Sequence, residues 1–177
     1  MLNGKKVHLR PFRLADVEFF IKKVNTMEAK GDFLPLNMTN LIETQKKFNE
    51  NGLITEESGR FVIVSNETEK TVGFVIYFKG THYSPGYELG YIIYSAEDRG
   101  KGYASEALSI LTRWIFLSKE VYRLQVCMDT ENMGSQIVAE KCGYMKEGVM
   151  RGGNFSRGEY RDLLLYSMTR PDFKLLV

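Results

Sequence analysis

The segment DRGKGYASEALSILTRW, Asp98 to Trp114, sets two glycines and two basic residues directly against the start of an amphipathic helix. Ala104, Ala107, Leu108, Leu111, Trp114 and Ile115 recur at i, i+3, i+4 and i+7, which predicts a helix of about three to four turns. A surface turn needs one glycine, not two around a lysine. Paired glycines let successive backbone amides converge on one point, and the first turn of a helix leaves those amides without intrahelical acceptors. The macrodipole adds partial positive charge there. A phosphate or pyrophosphate fits such a loop, with Arg99 and Lys101 adding charge at the rim. The plainer alternative is a helix start that uses glycine only to turn. Two better-known phosphate loops do not match. A P-loop needs Gly-Lys-Ser/Thr, and here Tyr103 follows Gly102. A dinucleotide fingerprint needs a later third glycine or alanine in an early βαβ unit.

The chain has 177 residues, 44% hydrophobic and 26% charged, which is one ordinary domain with a substantial core. A net charge of +2 without a basic run argues against nucleic-acid binding. Two cysteines, Cys127 and Cys142, and two histidines make no metal spacing and no disulfide framework, so no metal is expected and a cytoplasmic setting is. The N-terminus lacks the apolar stretch of a secretory signal, and no run reaches the ~20 apolar residues of a membrane span.

Residues 6–11 alternate as a strand, and Leu14, Val17, Phe20, Ile21 and Val24 then fall at helical spacing. After the irregular stretch 31–37, Asn40 with Glu43 resembles a capping box opening a second helix. Strands follow at 61–65, 71–78 and 86–95, then the opening helix, then a strand at 122–129. Asn132 caps a short helix that stops at Gly143, and two strands, 145–151 and 160–168, end the chain. The order β-α-α-β-β-β-α-β-α-β-β predicts a single mixed α/β (α+β) domain over residues 1–177. It has a central sheet of about seven strands and about four helices. A right-handed crossover makes the strands at 86–95 and 122–129 parallel neighbours.

Arg99-Gly-Lys-Gly102-Tyr-Ala104 resembles the Arg/Gln-x-x-Gly-x-Gly/Ala motif of the GNAT superfamily of N-acetyltransferases. ELGYIIYSAEDRGKGYASEAL (88–108), NMGSQIVAEKCGYMKEGVMR (132–151) and GEYRDLLLYSM (158–168) are similar to its RimJ/RimL-type branch. The resemblance implies acetyl-CoA as co-substrate, its pyrophosphate on the amides of Arg99, Gly100, Lys101, Gly102, Tyr103 and Ala104. It implies a splayed pair of strands at 86–95 and 122–129, with the pantetheine arm lying along the first like an added strand. Ile92, Ile93 and Tyr94 are then its main-chain partners, the Ile93 amide polarises the thioester carbonyl, and Asn132 both caps its helix and meets pantetheine.

Acetyl transfer needs a neutral amine. At pH 7 an α-amine of pKa ~8 costs about 1.4 kcal/mol to deprotonate and a lysine roughly 4.6 kcal/mol. Glu88 matches the glutamate of the branch's E-[LI]-G-Y stretch and is the candidate base, acting through water; it also reads as a structural strand-face carboxylate. The tyrosine acid that many members carry is replaced by Ala139. Ser135 stands where the RimL-like pattern has a serine that serves the thiolate, and it also reads as a first-turn helix serine. Cys142, Cys127, His8, His82 and Trp114 read as core or surface residues. Tyr83 and Tyr87 line either the acceptor side or a solvent-facing loop, and Asp32 reads as a solvated loop acid or a partner for a cationic amine.

The branch implies a protein N-terminal α-amine as acceptor, typified by a ribosomal protein, with direct transfer in a ternary complex and a homodimer left open. Acetylation of a small amine (amino acid, polyamine or antibiotic), a non-catalytic acyl-CoA-binding module and a phosphate-binding nucleotide domain remain the alternatives.

Overall fold

The computed structural model describes residues 2–80 and 86–175. Its strands are β1 (Leu2–Asn3), β2 (Val7–Pro11), β3 (Ser58–Ser65), β4 (Thr71–Lys79), β5 (Gly86–Ile93), β6 (Arg123–Asp129), β7 (Met145–Ser156) and β8 (Glu159–Thr169). They form one sheet in the order β1-β2-β3-β4-β5-β6-β8-β7. The helices are α1 (Leu14–Val24), α2 (Met27–Lys30), α3 (Leu41–Asn51), α4 (Tyr103–Ser118), α5 (Met133–Lys141) and α6 (Arg170–Leu175). The additions to the expected seven strands and four helices are β1, α2 and α6, of two, four and six residues. Elements this short carry no readable period.

The sheet buries both faces. Val7, Leu9, Ile63, Val75, Leu89 and Leu124 face α4, α5 and α6. Val62, Val64, Phe74 and Tyr94 face α1, with Phe20 of α1 meeting Phe74 edge-on at 5.1 Å. Trp114 packs on this framework, 5.3 Å from the Phe61 ring, as its place on the apolar stripe predicts. Asn40 accepts from the Glu43 amide at 3.1 Å and opens α3; Asn132 accepts from the Ser135 amide at 3.0 Å and opens α5.

Every strand pairing is antiparallel except β5 with β6, which pair only over Gly86–Glu88 and Arg123–Gln125. The close approach there needs glycine, since a Cβ on Gly86 would lie 2.1 Å from the Arg123 carbonyl oxygen. Beyond Glu88, β5 stays on β4 as far as Ile93, and β6 stays on β8 as far as Asp129. Each strand follows its outer partner, so the two diverge and leave a gap in the middle of the sheet.

Candidate active site

A cavity of ≈ 520 Å³ lies at this gap. Its walls are the end of β5, the glycine loop with the start of α4, the inner side of α5, and the segment from Ala29 to Leu34. Nine of the twelve expected site residues line it: Ile92, Ile93, Arg99, Gly100, Gly102, Tyr103, Ala104, Asn132 and Ser135. Tyr94, Lys101 and Glu88 lie outside the wall.

The loop has the backbone geometry that an anion cradle needs. Gly100 and Gly102 have φ of 75° and 85°, a region that L side chains rarely adopt. Gly102 is the N-cap of α4 and offers no side-chain acceptor. The amides of the first α4 turn, from Tyr103 on, therefore keep their hydrogens for a ligand. The side chains are committed elsewhere. Lys101 pairs with Asp98 at 3.0 Å, its carbonyl accepts from Lys6 Nζ at 2.7 Å, and Tyr103 sends its phenol 3.4 Å from Ser65 Oγ in the core. The Arg99 guanidinium donates to the Glu28 carbonyl and so clamps α2 to the loop. The cradle is thus backbone, and Arg99 and Lys101 are not aimed at its centre.

The gap edge of β5 divides the expected pantetheine partners. The Tyr94 amide donates to the Val72 carbonyl at 3.0 Å, and Ile92 stands opposite Phe74 of β4. Ladder groups alternate sides along a strand, so the main-chain groups of Tyr91 and Ile93 face the gap. The Ile93 main chain thus faces the gap, the side on which the pantetheine arm is expected. The main-chain groups of Ile92 and Tyr94 are instead turned to β4, and those of Tyr91 face the gap, while the Ile92 side chain lines the cavity.

Glu88 lies on the face of the sheet opposite α4, at the closed end of the gap, where it accepts from Gln125 Nε2 at 3.0 Å. Cys127 is its neighbour on β6. Burial, then the charge and hydrogen bond of Glu88, push the Cys127 thiol up to about 12, so no thiolate forms there near neutrality. Cys142 is buried at the end of α5, donating to the Ser105 carbonyl at 3.1 Å, as a small buried residue would. Tyr87 is neither of the two things expected of it. It is buried on the α4 side, 5.1 Å from the Tyr77 ring, with its hydroxyl on the Glu56 carbonyl at 2.8 Å. His8 bonds Asn66 at 2.8 Å on the surface. His82 and Tyr83 lie outside the described residues.

The wall from Ala29 to Leu34 holds residues that local pattern does not signal. Lys30 is buried, and its ammonium donates to the carbonyls of Pro35 (3.2 Å) and Asn37 (2.7 Å). Burial, reinforced by Arg157, lowers its pKa. Arg157, in the β7–β8 turn, donates to the Gly31 carbonyl, so that hairpin closes onto the same segment. Asp32, Phe33 and Leu34 line the cavity beside them, with Asp32 exposed at the mouth. Strand alternation puts Tyr91 on the face of Leu89 and Tyr87, but only the pairing with β4 shows that its main chain faces the gap.

Among the described residues, no helix is long and apolar enough to cross a membrane, and no group of three metal-ligating side chains stands together.

The acetyltransferase (GNAT) domain model matches residues 6–145, and the chain belongs to that family. Among curated relatives, the probable N-acetyltransferase YjcK of Bacillus subtilis is 26% identical over 97% of this chain and 98% of its own. The prophage-derived N-acetyltransferase YokL of the same organism is 36% identical, but the match spans only 44% of each chain. Two solved structures share the fold. Spermidine N-acetyltransferase from Vibrio cholerae, in complex with CoA and spermine, has a TM-score of 0.81 at 18% identity over 97% of this chain and 99% of its own. RimL, an α-N-acetyltransferase of ribosomal protein L7/L12 in complex with CoA, has 0.76 at 19% over 94% and 95%. Acetyl-CoA is accordingly the co-substrate, and the uncapped α4 amides, the two positive-φ glycines and the open edge of β5 suit its pyrophosphate and pantetheine.

Proposed function

We propose that the chain moves the acetyl group of acetyl-CoA directly to a protein N-terminal α-amine. The observation that carries this is the charge on the acceptor side. A buried ammonium, Lys30, and the guanidinium groups of Arg99 and Arg157 brace the segment from Glu28 to Asn37. Against them stand Asp32 at the mouth and Glu88 at the closed end. Glu88 is held by Gln125, Asp98 at the cavity wall pairs with Lys101 at 3.0 Å, and further off Glu147 pairs with Arg123 at 2.9 Å and Asp129 with Arg161 at 3.2 Å. A polyamine brings several ammonium groups and needs a row of open carboxylates. A peptide N-terminus brings one amine and a run of amides. Deprotonating that amine costs about 1.4 kcal/mol at pH 7, a demand that Glu88 meets through a single water.

In this scheme the α4 amides hold the pyrophosphate, Tyr91 and Ile93 hold pantetheine, and the Ile93 amide polarises the thioester carbonyl. Asn132 fixes the start of α5 so that Ser135 faces the sulfur. A cytoplasmic setting and a ribosomal protein as the natural acceptor belong to the same proposal. The test is a free-thiol release assay on peptides beginning with Ala, Ser or Met, beside spermidine, spermine and free amino acids. Turnover is expected on peptides and not on polyamines. Faster turnover on spermidine than on every peptide overturns the choice of acceptor.

A further inference from the structure

Four hydroxyl side chains line the cavity among the described residues: Tyr91, Tyr103, Ser105 and Ser135. Tyr103 is turned into the core, and Ser105 belongs to the first turn of α4, at the anion cradle. That leaves Tyr91, on β5 between Ile93 and Glu88, and Ser135, in the first turn of α5, along the path by which the acyl end of the coenzyme meets the acceptor in the scheme above. They face each other, the Tyr91 hydroxyl lying 3.5 Å from the Ser135 carbonyl, at the outer limit of a hydrogen bond. A contact that long leaves the phenol hydrogen ready for a better acceptor. Helix α5 offers no phenol of its own, since its residues, MGSQIVAEK, include no tyrosine.

The geometry points to Tyr91 as the hydrogen-bond donor that receives the coenzyme sulfur as it leaves. This rests on the direct transfer proposed above. The amine nitrogen forms its bond to the acetyl carbon while the carbon–sulfur bond breaks, and sulfur departs with the bonding pair. The amine proton passes through water to Glu88. The phenol keeps its proton and donates to the thiolate, which is later protonated from solvent. Burial pushes the Tyr91 hydroxyl up to about 12, with the Ser135 side chain partly offsetting it. That lies well above the ~8.5 of an ordinary thiol, so donation without proton loss is the stable arrangement. Ser135 orients the phenol from across the gap. Tyr91 thus serves twice, with its main chain toward pantetheine and its hydroxyl toward sulfur.

The experiment titrates the thiol of CoA bound to the full chain, by its ultraviolet thiolate absorbance in difference spectra against desulfo-CoA. Wild type, Tyr91→Phe and Ser135→Ala are compared. Tyr91→Phe is expected to raise the bound thiol's pKa by about one to two units and to slow acetyl transfer roughly 10- to 100-fold at unchanged affinity for CoA, the range of a charge-assisted hydrogen bond. Ser135→Ala should move that pKa by less, since it leaves the donor in place. An unmoved thiol pKa in Tyr91→Phe, or a larger shift in Ser135→Ala, overturns the assignment. A Tyr91-dependent thiol shift in a protein that acetylates no peptide refutes the proposed acceptor alone and leaves the sulfur site standing.

Discussion

Replacing Gly102 with valine tests whether the cradle works through backbone conformation. Gly102 sits at φ 85°, and a Cβ there would lie 3.1 Å from Lys6 Nζ, the movable end of a flexible side chain. Steric crowding is therefore minor and the dihedral angle dominates. Holding an L-residue in the left-handed region costs about 1–2 kcal/mol, and a β-branched one about 2–3 kcal/mol. Without ligand the variant loop relaxes out of that region and escapes the strain. Binding must then choose between two losses. Forgoing two amide–phosphate hydrogen bonds costs about 3–6 kcal/mol, whereas restoring the strained angle costs only the strain. The smaller loss wins, so affinity for CoA should fall by the strain energy, roughly 30- to 150-fold for valine. Alanine should lose less and asparagine, which tolerates this region, least. Calorimetric titration with CoA gives the series, and pantetheine, which lacks the pyrophosphate, serves as the control. Equal losses for Asn, Ala and Val would refute the conformational account, as would intact CoA binding in the valine variant. Equal loss of pantetheine would instead mark a damaged fold.

Two further outcomes follow from charge. Cys127 should resist iodoacetamide at pH 8 because burial and Glu88 hold its thiol up to about 12. Glu88→Gln should speed its alkylation while lowering kcat about 100-fold or more at unchanged CoA affinity. Rapid labelling of the wild type by mass spectrometry would contradict the geometry of that pair. Asp16 takes hydrogen bonds from Arg10 at 2.6 Å and from the Arg13 amide at 2.7 Å. Burial raises its pKa, but these bonds and the Arg10 charge outweigh that and leave it below the ordinary carboxylate range. The sign follows from the depressed folded value. Its stabilisation is complete above the unfolded pKa of ~3.9 and is lost as pH falls through the folded value. Asp16→Asn should therefore cost about 1–2 kcal/mol at pH 7 in denaturant unfolding, a gap that narrows as pH falls below the unfolded value of ~3.9. A gap that stays constant down to pH 2 would refute it.

The parts of the site that were legible in sequence are those fixed by a residue's own backbone. Gly100 and Gly102 announce positive φ, Asn132 announces a cap, and the alternation of 86–93 sets the faces of β5. The parallel pair followed from the crossover rule, and its splay from the family resemblance. What stayed hidden depends on partners remote in the chain. Arg99 reads as a phosphate ligand from its place in the loop, yet its guanidinium holds a carbonyl 71 residues away. Arg157 reaches a carbonyl 126 residues away, in a segment whose sequence shows only an irregular stretch. Tyr87 shares the alternation of β5, but alternation cannot say which face α4 covers. These misses have a common consequence. The two arginines that join the Glu28–Asn37 segment to the glycine loop and to the β7–β8 turn meet it at main-chain carbonyls, so the segment, and the proposed acceptor side with it, can change its side chains without losing its anchors. Acceptor choice can therefore vary among chains that keep the same cradle. That is the physical reason why a fold shared with both a spermidine and a ribosomal-protein acetyltransferase does not choose between their acceptors.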